Sequence, residues 1–189
     1  MNETLTADYA GVLVTDCLNI YDSGVPIARK HKCIAHHQKA IREQLDSPSL
    51  GDRTYLQAWQ SLFTMVTTIA NCGSAIPEVN RLSAGQYYGQ QVDVLLARPV
   101  TQPEDVRIRN RLAKQREYLL TCLSHPAVEP TNNRAERALR PAVIARKVSC
   151  GNKTARGKTT WERLASLTET WYRRGRNVLA ELAARARLS

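Results

Sequence analysis

Apolar positions recur at helical spacing along most of the chain and at strand spacing only once. Residues 11–15 (GVLVT) are short, apolar and β-branched, bounded by Gly11 and Asp16, and predict one buried strand. The following stretch, CLNIYDSGVP, reads as a loop punctuated by Ser23-Gly24 and Pro26. Helices are predicted over about 33–45 (Ile34, Ile41 and Leu45 inward), 53–70 (Leu56, Trp59, Leu62, Phe63, Val66 and Ile69 on one broad face) and 77–97, the last weakened by Gly85 and Gly89. A single charged helix is predicted over about 104–123, with Val106, Ile108, Leu112, Leu119 and Leu120 as its apolar set. Pro126 and Pro130 mark a connector, and further helices follow over about 132–147, 158–174 and 178–187. The fold expected is therefore mainly α with one or few strands. A lone strand cannot satisfy its own backbone groups, so the pattern predicts partners from earlier strands of an α/β domain or from another subunit.

Charge changes the picture more than composition does. Residues 1–125 carry 13 basic and 12 acidic side chains, a net of +1, whereas residues 126–189 carry 14 and 5, a net of +9. Nearly all the excess of a chain with net charge +10 sits in its last third. A polyanion is the natural partner, because each neutralised phosphate releases a counterion, although a solvated basic face has the same composition. No apolar run approaches the ~18 residues of a membrane span, and the N-terminal residues lack a signal-peptide pattern, so no membrane partner and a cytoplasmic location are expected. Five scattered cysteines (Cys17, Cys33, Cys72, Cys122 and Cys150) fit reduced thiols better than a disulfide framework.

The most basic stretch contains PTNNRAERALRP, residues 130–141. Thr131 or Asn132 can cap a helix there. Spacings of three and four put Asn133, Glu136, Arg137 and Arg140 on one side, continued by Lys147, with Ala135, Leu139, Ala142 and Val143 on the other. Pro141 predicts a kink or a helix end. Glu136 with Arg140 is on one reading an exposed i,i+4 ion pair worth about 0.3–0.5 kcal/mol. On the other it is a metal-binding carboxylate among phosphate-gripping cations, which requires a second carboxylate from another element. Asp16, at the C-terminal end of the predicted strand, is that candidate; an Asp there also serves simply as a turn former.

Taken in order and spacing, YAGVLVTDCLNIYD, KCIAH, EPTNNRAERALRPAVIARK and the ARG of residues 155–157 resemble the C-terminal half of bacterial DDE transposases of the insertion-sequence-sixty-six type, over about Asp8 to Arg176. The resemblance implies part of an RNase H-like core in which three acids hold two Mg²⁺ (or Mn²⁺) ions for phosphodiester cleavage and strand transfer. Asp16 matches the second acid and Glu136 the third. Cys33 and His36 match a structural C-x-x-H element, Asn132, Asn133, Arg134, Arg137 and Arg140 match the surround of the Glu, and Asn133, Arg134, Arg137, Arg140, Arg146 and Lys147 are the expected DNA-binding residues. It further implies three segments: a partial core over 1–45, a helical insertion over 46–125, and the Glu-bearing helix with basic C-terminal helices over 126–189. No residue of this chain matches the first acid. The chain alone is therefore expected to be inactive, with DNA and an upstream transposase piece or second subunit as partners and a nucleoid-associated location. The alternative is a non-catalytic nucleic-acid-binding helical module derived from a transposase.

Other candidates are weaker. Cys33-x-x-His36 with His37, His31 and Cys17 nearby lacks the second pair that a structural zinc site needs. Arg173, Arg174, Arg176, Arg185 and Arg187 form a basic stripe that suits phosphate or solvent equally. Trp59, Trp161 and Trp171 are spaced as core residues.

Overall fold

A computed structural model describes residues 9–18, 20–23, 27, 29–47, 51–148, 151 and 153–186. The chain divides into two compact units, Met1–Asn133 and Arg134–Ser189. The described residues are mainly helical, as the hydrophobic pattern predicts.

The first unit begins with two short parallel strands, β1 (Leu13–Thr15) and β2 (Lys30–Lys32), in register Leu13↔Lys30, Val14↔His31 and Thr15↔Lys32. Between them α1 (Ile20–Ser23) makes one helical turn where the sequence predicted a loop. The sequence also predicted a lone strand; β2 corrects that reading. Its residues, KHK, are all polar, yet all three are buried, whereas buried parallel strands are ordinarily runs of Val, Ile and Leu. Each long side chain of β2 carries a polar head that finds a partner, so the strand is buried without the usual apolar signature.

Five helices follow: α2 (Ile34–Asp46), α3 (Arg53–Asn71), α4 (Glu78–Ala97), α5 (Pro103–Lys114) and α6 (Thr121–Ser124). The core centres on α3, whose Tyr55, Leu56, Trp59, Leu62, Phe63, Val66 and Ala70 are buried at helical spacing. Ile34 and Ile41 of α2, Val92 of α4, Ile108 and Leu112 of α5, and Leu119, Cys122 and Leu123 pack into the same cluster. A ring series runs through it: His37 stacks on Phe63 and Phe63 on Trp59, each at 5.6 Å between centres, and Tyr55 meets Trp59 edge-on. Asp52 caps α3 by accepting the Tyr55 N–H at 3.0 Å and also pairs with Arg98 at 2.8 Å. The buried Asp105 carboxylate accepts the Asp52 N–H at 2.7 Å. Gly51 makes room for it, since a Cβ there would lie 2.9 Å from Asp105 Oδ1.

The single helix expected over 104–123 is three pieces: α5, a 3₁₀ turn at Arg116–Tyr118, and α6. Tertiary bonds explain the interruption. Gln115 turns inward to donate to the Cys17 carbonyl at 3.3 Å, and Arg116 reaches Asp93. The Tyr118 carbonyl sits 3.1 Å from His31 Nδ1, and Thr121 Oγ1 donates to the Lys30 carbonyl at 2.7 Å. These bonds tie the segment to β2, and a continuous α-helix would keep the Tyr118 carbonyl for itself.

The second unit holds most of α7 (Asn133–Val148), with α8 (Ala155–Arg173) and α9 (Val178–Ala186). Of the kink or helix end expected at Pro141, the helix end does not occur; α7 runs through it, although Pro141 has no N–H to give the Arg137 carbonyl. Thr154 caps α8 by accepting the Gly157 N–H at 3.0 Å. The helix closes on Gly175 at φ +68°, with Gly175 N–H to Tyr172 O and Arg176 N–H to Trp171 O, the paired bonds of a Schellman ending. Trp171 is buried, and the Arg185 guanidinium lies 4.5 Å from its ring centre.

Candidate functional site

Asp16 follows the last residue of β1, and the backbone around it is fixed by buried side chains. The ammonium of Lys32, a fully buried residue, donates to the carbonyls of Asp16 at 3.2 Å and Leu18 at 3.3 Å and lies 5.8 Å from the Tyr21 ring centre. Gln115 holds the intervening Cys17 carbonyl. The half-buried Asp16 accepts the Leu18 N–H on Oδ1 at 3.0 Å. Asp16 thus does form the local turn, and the same turn holds its carboxylate on a rigid strand end.

Cys33 joins this strand end to the segment that leads into α7. It is fully buried; its N–H donates to the Thr15 carbonyl at 2.8 Å, and its Sγ accepts the Asn132 N–H at 3.3 Å. The Pro130 carbonyl accepts the Ile34 N–H at 3.0 Å and lies 3.2 Å from His31 Nε2. Residues 130–132 of the PTNN sequence are therefore docked against the end of β2, one strand away from Asp16. Cys33 does structural work here through hydrogen bonds, while His36 is half-buried on α2.

The Cys–His pair that the structure brings together is Cys17 with His37, Sγ to Nε2 3.4 Å. Burial pushes the Cys17 thiol up to about 11. Burial, with the nearby positive charge of Arg111 second, pushes His37 down to about 3. Both groups are neutral near pH 7, the opposite of the thiolate–imidazolium state that an activated cysteine needs. Burial likewise holds His31 down to about 4, against the pull of two backbone carbonyls. No cluster of three or more His, Cys, Asp or Glu able to hold a metal occurs among the described residues.

In the second unit Glu136 lies exposed in the first turn of α7, where a carboxylate is favoured by the helix dipole. Arg134, Arg137, Arg140, Arg146 and Lys147 are exposed along the same helix, as is Asn133 at its start. The apolar positions expected to line the other side are not a core face here, since Leu139 and Val143 are exposed too. The ARG of residues 155–157 occupies the first turn of α8. Of the C-terminal arginines, Arg173 pairs with Glu169, and Arg176 and Arg185 both pair with Glu181; Arg187 lies outside the described residues.

Sequence reasoning missed Lys32 and Gln115, which fix the strand end, and took His31 only as an extra zinc donor. Their polar side chains gave no strand or core signal. The available hint was three polar residues, Lys30–Lys32, one position before the start of α2.

Comparison with protein families sets this chain among the transposases. It belongs to the Transposase IS66 family, which matches residues 1–160, a stretch that includes both strands, Asp16, Glu136 and the start of α8. Comparison with curated proteins and with solved structures gave no significant match.

Proposed function

We propose that this chain carries two of the acids of a DDE transposase site, Asp16 and Glu136, within part of an RNase H-like core, and that its basic helix α7 binds DNA. The observation that carries the reading is the docking of Pro130–Asn132 on Cys33, which is itself bonded to Thr15, the residue before Asp16. The end of the Asp16 strand and residues 130–132, which lead into α7, thus share one buried cysteine.

The donor chemistry fits Mg²⁺ or Mn²⁺: both candidate ligands are carboxylates, the hard oxygen donors these ions take. Such an ion, when bound, supplies charge neutralisation at a phosphodiester and a lowered pKa for its water. The chain's own residues have separate tasks. Lys32 and Gln115 hold the Asp16 turn so that the carboxylate needs no reorganisation. Arg134, Arg137, Arg140, Arg146 and Lys147 grip phosphate, and Asn133 orients the start of the helix against the backbone. The reading requires a third carboxylate, supplied by an upstream transposase piece or a second subunit.

A nicking assay on supercoiled DNA with Mg²⁺ or Mn²⁺, with and without Glu136→Gln, tests this proposal. Metal-dependent nicking that disappears in the variant supports it. The rival reading, a non-catalytic nucleic-acid-binding module, gives salt-sensitive DNA binding that Glu136→Gln leaves unchanged, and no nicking under any condition.

A further inference from the structure

An open cleft of about 580 Å³ with mixed polar and apolar lining lies on the first unit, far along the chain from the candidate acids. One wall is a single face of α4, where Arg81, Gly85, Gly89 and Asp93 follow one another at intervals of four. The other wall is residues 116–124, from the 3₁₀ turn through α6. Gly85 and Gly89 leave the middle of the α4 wall bare. A Cβ at Gly89 would sit 3.3 Å from Arg116 Nη2, and one at Gly85 would meet only Leu123 Cβ at 3.8 Å.

The two arginines of the cleft are in different states. Arg116 is engaged: Nε and Nη2 reach the two Asp93 carboxylate oxygens at 2.6 and 2.9 Å, and Nη2 also donates to the Gly89 carbonyl at 3.0 Å. That pairing holds the Asp93 carboxyl down and the Arg116 guanidinium up. Arg81 is only 6 % exposed, yet its Nε and Nη1 have no hydrogen-bond partner, and it makes none of the ion pairs found among the described residues. A guanidinium cannot discharge by losing its proton, and a buried cation without a partner is among the costlier features a fold can keep.

We infer that this cleft binds a small-molecule oxyanion, a carboxylate or phosphate, on Arg81. A guanidinium gives either group charge-assisted hydrogen bonds, and a turn of the Arg81 side chain brings its sealed Nε and Nη1 to the ligand. The rest of the cleft narrows the ligand. Thr121 and Ser124 have already spent their hydroxyl protons, on the Lys30 and Thr121 carbonyls, so they offer lone pairs. Glu117, on the lining, is also an acceptor. The exposed amides of Gln86 and Gln90 supply donors and acceptors both. The complementary ligand has an oxyanion at one end and hydroxyl or amino donors at the other, as in a sugar phosphate or a hydroxy acid. The size of the cleft suits such a molecule. A DNA backbone is a poor fit, because Glu117 and Asp93 would face its repeating charge.

The test is titration calorimetry of the full chain at constant ionic strength in chloride, with inorganic phosphate, acetate, glucose 6-phosphate and a short DNA duplex as separate probes. The proposal expects saturable one-to-one binding of glucose 6-phosphate, tighter than inorganic phosphate or acetate, and weakened at least tenfold in Arg81→Met. Phosphate against acetate decides which oxyanion the site prefers. Gly85→Glu places a carboxylate one helical turn from Arg81; it should abolish binding and raise the melting temperature, and it keeps the test decisive if Arg81→Met does not fold. Absence of saturable binding at millimolar probe, equal binding in both variants, or Arg81-dependent binding of the duplex alone would each overturn the proposal.

Discussion

Lowering the pH should strip stability from the first unit through two buried histidines, and the size of the effect follows from their surroundings. His37 is fully buried, stacked on Phe63 and beside Cys17, with Arg111, His31, His36 and Lys32 as its charged or chargeable neighbours. Its pKa falls from 6.5 to about 3, and that of His31 from 6.5 to about 4. Both shifts are depressions, so the unfolded chain takes up these protons first and stability falls as pH drops below about 6.5, the loss continuing down to the folded values. Between pH 7.5 and 4.5, linkage gives about 2–3 kcal/mol for each of the two histidines, together a large part of an ordinary domain's stability. Urea denaturation followed by tryptophan fluorescence at the two pH values measures it. The His37→Phe variant keeps a ring against Phe63 but cannot charge, and comparing its loss between the two pH values with that of the wild type cancels any packing strain. The variant should lose about half as much from these histidines as the wild type does. An identical loss in the two proteins would refute the reasoning.

Other consequences are more local. Gly51→Ala drives a Cβ against Asp105 Oδ1 and displaces the acceptor of the Asp52 N–H, so stability should fall by about 1–3 kcal/mol, read as a lower urea midpoint at unchanged slope. Gly175→Ala asks a residue with a side chain to hold φ +68° and should cost about 1–2 kcal/mol, read by hydrogen exchange at the Arg174–Arg176 amides. If α7 grips phosphate, Arg137→Gln and Arg140→Gln should each weaken DNA binding regardless of sequence and lower the slope of log affinity against log salt by about 0.9; an unchanged slope would remove that residue from the interface.

The helices were legible because apolar spacing dictates them. Leu56, Trp59, Leu62, Phe63 and Val66 show the face of α3 directly, and all are buried. Strand β2 was not legible, because Lys30, His31 and Lys32 are buried by satisfying their polar heads on carbonyls and rings, which no hydrophobic pattern records. The break at Gln115 failed for the same reason: residues 104–123 have good helical spacing, but bonds to Cys17, Asp93 and β2 outweigh propensity. At the candidate site, Asp16 and Glu136 stood out by motif, and so did Cys33. What Cys33 does, bridging Thr15 to Asn132, depends on a contact across 99 residues that local sequence cannot encode. Lys32, directly before it, carries no signal of burial in its own residue type.

If Asp16 and Glu136 are two acids of one transposase site, as proposed, removing either one disturbs metal binding by both. Mn²⁺ titration, followed by electron paramagnetic resonance of the free ion, should be run on the wild type, Asp16→Asn, Glu136→Gln and the double variant, with DNA and any upstream transposase piece present in all four. A shared ion predicts that each single variant loses nearly as much affinity as the double, because removing either ligand dismantles the same site. Losses that simply add, or Mn²⁺ binding indifferent to both substitutions, would contradict it.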